Sequence, residues 1–195
     1  ATKKGLKHGW FHTGDWGYFD LRGNLVITGR EKNVIVTANG KNIFPEELEN
    51  LLNKLPLIGE SMVYGKTKSK TSKDVIIAAR VTIDKEELEC RFKDNMPSDE
   101  KLYSIISGEI KKINRMISTY KVIKELEIKK DDFIKTTTMK IKRKEEIEKS
   151  DYSNMITTEM INKLKSKNKK EKRKLVNVEA KKIEDLEDNK VNKKK

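Results

Sequence analysis

The chain has 195 residues, 38% of them charged against 35% hydrophobic, and carries a formal net charge of +13. That balance is too polar for a uniformly packed globule of this length and suits a smaller core with a solvated appendage. No apolar run approaches the ~20 residues needed to span a bilayer, and no charged segment leads into an apolar one at the start. A soluble cytoplasmic protein is expected, with peripheral attachment to membranes left open. One cysteine, Cys90, excludes an intramolecular disulfide and a thiolate metal cluster, and His8 and His12 are too few for a structural zinc site. Cys90 follows an acidic stretch, which disfavours a reactive thiolate. The stretch from Asp151 to Lys195 holds 14 basic against eight acidic residues, leaving +6, so almost half of the excess charge lies in the last quarter.

In chain order, YFD and LVIT flank a turn at Gly23 and Asn24 and predict a β-hairpin. NVIVT, from Asn33 to Thr37, predicts a third strand, and Asn39-Gly40 a tight turn after it. FPEELENLLNKL predicts an amphipathic helix: Pro45 suits the first helical position, Glu46 and Glu47 suit the positive end of the dipole, and Leu48, Leu51, Leu52 and Leu55 share a face. Phe44 is a poor cap for it. ESMVYGK and DVIIAARVTI predict two further strands, with the alanines suited to close packing. DKEELE predicts a short helix. A longer one starts near Asp99 under a Ser98 cap, with Leu102, Ile105, Ile106, Ile110, Ile113 and Ile117 as its apolar stripe and Gly108 costing about 1 kcal/mol relative to alanine. KVIKELEI reads as a strand and EEIEK as a helix. Beyond Asp151 the apolar periodicity fades into lysine-rich text, for which disorder or a marginal helix is expected. The sum is a small α+β unit with a modest mixed sheet.

The chemistry lies in a spaced series: Gly9-Trp10-Phe11-His12-Thr13-Gly14-Asp15, Gly17, Asp20, Gly23, Gly29-Arg30-Glu31-Lys32, Gly40, Asn42-Ile43, Pro45 and Glu49. Taken alone, TGD is a weak match that an ordinary solvated turn would explain. The whole series resembles the adenylate-forming superfamily of acyl-CoA synthetases, luciferases and peptide-synthetase adenylation domains, with its pattern GWxxTGDxGxxDxxGxLxxxGRxKxxIxxxGxNIxPxEIE. The resemblance runs from about Gly5 to Arg143 and ends on KTTTMKIKR, similar to the closing motif PKTxxGKIxR. Met139 stands where that motif has glycine, and Ile134 where it has proline. These departures predict a loop less able to adopt positive φ and less pre-set for its turn.

The resemblance implies a role for each matched residue. Asp15, with Thr13 and Gly14 beside it, would accept the ribose hydroxyls of ATP, as an acceptor-only carboxylate can. Arg30 offers a rigid fork of donors to ribose or phosphate oxygens. Lys32 falls at the hinge about which the small domain rotates. Gly40, with Lys41 and Asn42, lines the channel of the pantetheine arm, where a missing side chain permits close approach. Lys140 reaches the carboxylate and α-phosphate during adenylation, where a point cation lowers the barrier electrostatically. His8 and His12, four residues apart in a glycine-containing loop, read as incidental.

The implied organisation is residues 1–29 as the end of an N-terminal adenylation domain, residues 30–150 as a C-terminal lid domain, and residues 151–195 as a lysine-rich tail. The implied function is that of the lid of an ATP-dependent carboxylate-CoA ligase acting on medium or long fatty acids, using ATP with Mg2+ and taking CoA as the thiol. The opening text has no structural element of its own, so the chain reads as a C-terminal piece, inactive by itself, whose partner is the N-terminal domain of the same enzyme. An adenylation domain of a peptide synthetase or an acyl-carrier-protein ligase is the alternative within the class. From another class, the tail suits a basic module contacting nucleic acid or anionic membrane weakly and without sequence preference.

Overall fold

A computed structural model of the chain describes residues 5–67, 74–93, 95–149 and 151–167. Its elements are β1 (Leu6–Lys7), β2 (Trp10–Phe11), β3 (Asp15–Phe19), β4 (Leu25–Arg30), β5 (Ile35–Val36), β6 (Asn42–Ile43), α1 (Pro45–Leu52), β7 (Ile58–Thr67), β8 (Val75–Ile83), α2 (Lys85–Phe92), α3 (Asp99–Met116), β9 (Ile123–Lys129), α4 (Arg143–Glu148) and β10 (Met155–Thr157). The chain divides into two units, Ala1–Thr157 and Thr158–Lys195. In the second, residues 158–167 form a helix in which Lys163 pairs with Glu159 at 2.8 Å. Residues 168–195, most of the expected basic tail, lie outside the described residues. Among the described residues no helix is long and apolar enough to cross a membrane.

The first unit is built on a mixed four-stranded sheet of order β10-β9-β8-β7. β7 and β8 are antiparallel, β8 and β9 parallel, β9 and β10 antiparallel. A parallel pair cannot be joined by a tight turn, and here the crossover is made by α2 and α3. Ser98 caps α3 by accepting from the Lys101 amide, and the helix buries Leu102, Tyr103, Ile106, Ile110 and Ile113. The expected stripe is therefore present, with Tyr103 added to it, while Ile117 lies past the end in extended conformation. α1 packs on β7, with Leu48 and Leu52 fully buried. Phe44 occupies its N-cap without a side-chain bond, and Pro45 takes the first turn.

Strand alternation separates the sheet into two faces. On one, Met62, Tyr64 and Ala78 cluster with Phe133, and Ile141 packs beside them. At Val63 the edge of β7 is answered by side chains: its amide donates to Glu49 Oε1 at 2.6 Å, and its carbonyl accepts from Arg143 at 3.0 Å. Edge groups answered by side chains cannot template another strand.

Two expectations shift. The run from Asn33 to Thr37 supplies only Ile35–Val36 as strand, because Glu31–Asn33 close into a 3₁₀ turn. At the other end, the text after residue 150 still contributes to the core. Met155–Thr157 pair with Lys129, Ile128 and Glu127 as the fourth strand, and Met155 and Ile156 are buried. A three-residue run is too short to show a period.

Candidate functional site

The β3–β4 hairpin turns through Asp20, whose Oδ1 accepts the Arg22 and Asn24 amides at 2.8 Å each. These bonds hold the Asp20 carboxyl below its ordinary value, the Asn24 side chain foremost. With the turn set, the ladder brings Asp15 opposite Arg30, and Arg30 Nε lies 3.0 Å from Asp15 Oδ1. The two residues expected at the ribose thus form one exposed acidic-basic pair. Among the described residues the second Asp15 oxygen and the other guanidinium nitrogens have no hydrogen-bond or ion-pair partner. Thr13 Oγ1 accepts the Asp15 amide at 3.1 Å, and the Gly14 carbonyl accepts the Glu31 amide at 2.9 Å with Gly14 at φ +74°.

Lys32 is the middle residue of the 3₁₀ turn Glu31–Asn33, exposed, directly after the hairpin. Its neighbours tie the hairpin to α1. Asn33 donates to Glu46 Oε1 at 2.6 Å, and the Trp16 and Phe44 rings lie 5.9 Å apart. A β-carbon on Gly29 would come within 2.6 Å of Glu46 Oε2 and 3.0 Å of the Phe44 ring, so any larger residue there would displace these side chains. The Glu46 contacts are not signalled by the sequence pattern, in which Glu46 reads only as a helix-dipole residue.

Thr37 to Lys41 close a turn in which Gly40 sits at φ +70° and donates to the Thr37 carbonyl at 2.9 Å. The Lys41 amide donates to Thr37 Oγ1 at 3.1 Å, and Asn42 enters β6 opposite Val36. Lys41 and Asn42 are exposed. A cavity of about 440 Å³ opens beside this turn, bordered by Thr37, Asn39, Ile77, Tyr120 and Lys124.

Lys140 is carried by a small hairpin. Lys135 bridges Ile141, the Thr136 amide donates to the Lys140 carbonyl at 2.9 Å, and the Met139 amide donates to Thr136 at 3.0 Å. Thr136 Oγ1 also accepts the Lys140 amide at 3.1 Å. Met139 adopts φ +59°. The position where the family motif has glycine therefore keeps the left-handed conformation that glycine would supply, at a cost of about 1–2 kcal/mol for a side chain. The Lys140 side chain is exposed. No hydrogen bond or ion pair among the described residues joins this hairpin to Asp15 or Arg30.

Under the hairpin lies a buried polar network that the sequence does not advertise. Arg80 is fully buried within the apolar run of β8, and Glu127 and Glu146 are each 1% exposed. Arg80 Nε meets Glu127 Oε2 at 2.9 Å, and the Tyr64 hydroxyl donates to the same oxygen at 2.8 Å. A second Arg80 nitrogen donates to the Glu146 carbonyl at 2.6 Å. Lys129 meets Glu146 Oε1 at 2.8 Å. Burial works against the Arg80 charge, but Glu127 and Tyr64 outweigh it and hold the guanidinium above its ordinary value. Burial, and then the Glu127 carboxylate, push the Tyr64 phenol well above its usual range, with Arg80 pulling the other way. The only signal in the sequence is a lone arginine inside a β-branched run.

No family model matches the chain. It is 37% identical over 164 residues, 76% of the chain, to the long-chain-fatty-acid–CoA ligase FadD15 of Mycobacterium tuberculosis, and spans about a quarter of that protein, 26%. Among solved structures, the O-succinylbenzoate coenzyme A synthetase MenE of Bacillus subtilis, in complex with ATP and a magnesium ion, superposes with a TM-score of 0.54 at 24% identity, over 74% of this chain and 26% of that one. The ATP-bound RpMatB–BxBclM chimera B1 gives 0.55 at 27% identity, over 73% and 25%. By sequence and by fold, the chain matches the C-terminal domain region of acyl- and aryl-CoA ligases of the adenylate-forming superfamily.

Proposed function

We propose that the chain is the C-terminal, mobile part of an ATP-dependent carboxylate-CoA ligase, with a long-chain fatty acid as the acyl substrate. The observation that carries this reading is the hairpin that presents Lys140. It keeps a left-handed residue directly before an exposed lysine, in a chain 37% identical over 164 residues to a long-chain-fatty-acid–CoA ligase. In the first half-reaction the substrate carboxylate attacks the α-phosphorus of ATP and pyrophosphate leaves, forming an acyl-adenylate. In the second, the CoA thiol attacks the acyl carbon and AMP leaves.

The residues divide between these steps. Negative charge builds up as one anion attacks another, so the Lys140 ammonium would lower the first barrier electrostatically. Asp15 and Arg30 would hold the ribose through the free carboxylate oxygen and the remaining guanidinium donors. Lys32, in the short turn that follows the nucleotide hairpin, would be the pivot. The turn of Gly40, Lys41 and Asn42, open beside a cavity, would line the passage of the pantetheine arm. Mg2+ would enter with the ATP phosphates, as part of that substrate.

The exposed apolar side chains of the β3–β4 hairpin, Trp16, Tyr18, Phe19, Leu25 and Ile27, suit burial against the N-terminal domain of the same enzyme. The test is acyl-adenylate formation, read as pyrophosphate exchange, by the full-length protein that carries this chain. Activity with long-chain fatty acids and CoA supports the proposal. Activity only with a carrier-protein thiol transfers the assignment to the alternative within the class.

A further inference from the structure

The two departures from the family's closing motif are answered by this chain's own contacts, and one of them involves a residue outside any motif. Where the motif has proline, Ile134 has an amide hydrogen, and it donates to Glu146 Oε1 at 2.6 Å. The Ile134 carbonyl accepts the Lys142 amide at 2.8 Å, so both backbone groups of this residue are fixed at the base of the Lys140 hairpin. Proline has no amide hydrogen to offer, and this clamp could not exist with the motif residue in place.

Glu146 is itself immobilised. Its Oε1 also accepts from Lys129 at 2.8 Å, its Oε2 lies 3.5 Å from Arg80, and its backbone carbonyl accepts from Arg80 at 2.6 Å. Arg80 is held in turn by Glu127 and lies over the Tyr64 and Tyr152 rings at 5.4 and 5.7 Å. The charged members of this set are anchored on β7, β8, β9 or α4, where Arg80 and Lys129 face Glu127 and Glu146, and Lys66 also reaches Glu127 at 3.2 Å. A charge-assisted bond from an amide to a buried carboxylate is among the stronger single contacts available to a loop.

We propose that Glu146, held by Arg80 and Lys129, is a positioning residue that sets the Lys140 hairpin, replacing by a hydrogen-bonded clamp the backbone restriction that proline provides elsewhere in the family. The inference rests on the assignment of Lys140 to adenylation. Its chemistry is mechanical: a hairpin fixed at both backbone groups of Ile134 delivers Lys140 to one place, and misplacement by about 1 Å can cost up to about a hundredfold in rate.

The test compares the two half-reactions in the full-length protein. Glu146→Ala, which removes the acceptor, should lower acyl-adenylate formation about tenfold or more, while thioester formation from preformed acyl-adenylate falls at least tenfold less. Adding Ile134→Pro removes the amide that needs an acceptor and restores the backbone restriction, so the loss caused by Glu146→Ala should shrink at least about fivefold in that background. Equal losses in both half-reactions, or no rescue by proline, would overturn the proposal. Hydrogen exchange in the unmodified chain provides a reading that does not depend on folding of the variants. The Ile134 amide should exchange at least about tenfold more slowly than those of Thr137 and Thr138 at the hairpin tip, and equal rates would also overturn the clamp. If Lys140→Ala leaves adenylation intact while the Ile134 amide stays protected, the assignment of Lys140 fails and the clamp does not.

Discussion

Met139 offers the sharpest test of the local backbone. It sits at φ +59° with 69% of its surface exposed, so its side chain contributes little packing while its β-carbon carries the left-handed penalty. Comparing Met139→Gly with Met139→Ala isolates that penalty, because both variants lose the same outer side chain. Alanine keeps a strain of about 1–2 kcal/mol that glycine lacks, and glycine gives back about 0.4–1 kcal/mol through the greater freedom of its unfolded chain. Glycine should therefore be the more stable by about 0.5–1 kcal/mol, the reverse of the order at an ordinary position. For a chain of this size that is a difference of about 1–4 °C in melting temperature. Thermal unfolding followed by circular dichroism measures it. An alanine variant as stable as the glycine variant, or more so, would refute the left-handed assignment.

The ordinary order should be seen in α3, where a β-carbon on Gly108 would meet nothing within 4 Å and φ is not positive. Gly108→Ala should raise stability by about 0.5–1 kcal/mol in the same melting experiment, and destabilisation would show that the helix is crowded there. Arg80→Met removes the buried cation shared by Glu127 and Glu146, leaving them Lys66 and Lys129 alone, and should cost about 3 kcal/mol in urea unfolding. A loss below about 1 kcal/mol would mean that the site relaxes or hydrates. The depressed Asp20 carboxyl stabilises the β3–β4 hairpin fully above its ordinary value of 3.8 and ceases to do so as pH falls through the lower folded value. Trp16 fluorescence should therefore change below pH 3.8 in the native chain, and Asp20→Asn should remove that acid-side transition; a transition that survives belongs to another group.

The parts of the fold that are legible in the sequence are those with a long period or a named turn. The isoleucine stripe of α3 reads directly, as do the Pro45 start of α1, the Gly23-Asn24 hairpin and the β-branched runs of β7 and β8. β10 does not, because Met155 and Ile156 alone make no pattern. The polar core is hidden for a different reason. Arg80, Glu127 and Glu146 each read as solvated charges, and only the pairing of β8 with β9 and the return of α4 bring them together. At the site, Asp15, Arg30, Lys32, Gly40 and Lys140 are marked by motif spacing, and the structure adds what spacing cannot show. Asp15 and Arg30 engage each other, and the hairpin of Lys140 is fixed from beneath by Glu146. The expectation that methionine at position 139 would resist positive φ holds as a cost rather than as a prohibition, since the hairpin bonds around Thr136 impose the conformation.

The most direct measurement is the rate of each half-reaction in the full-length protein carrying Lys140→Ala. Removal of a preorganised charge from the reacting phosphoryl group should lower acyl-adenylate formation by about a hundredfold or more, with thioester formation from preformed acyl-adenylate nearly unchanged. Equal losses in the two half-reactions, or an unaffected adenylation rate, would contradict the assignment of this chain as the part of a carboxylate-CoA ligase that carries the adenylation lysine.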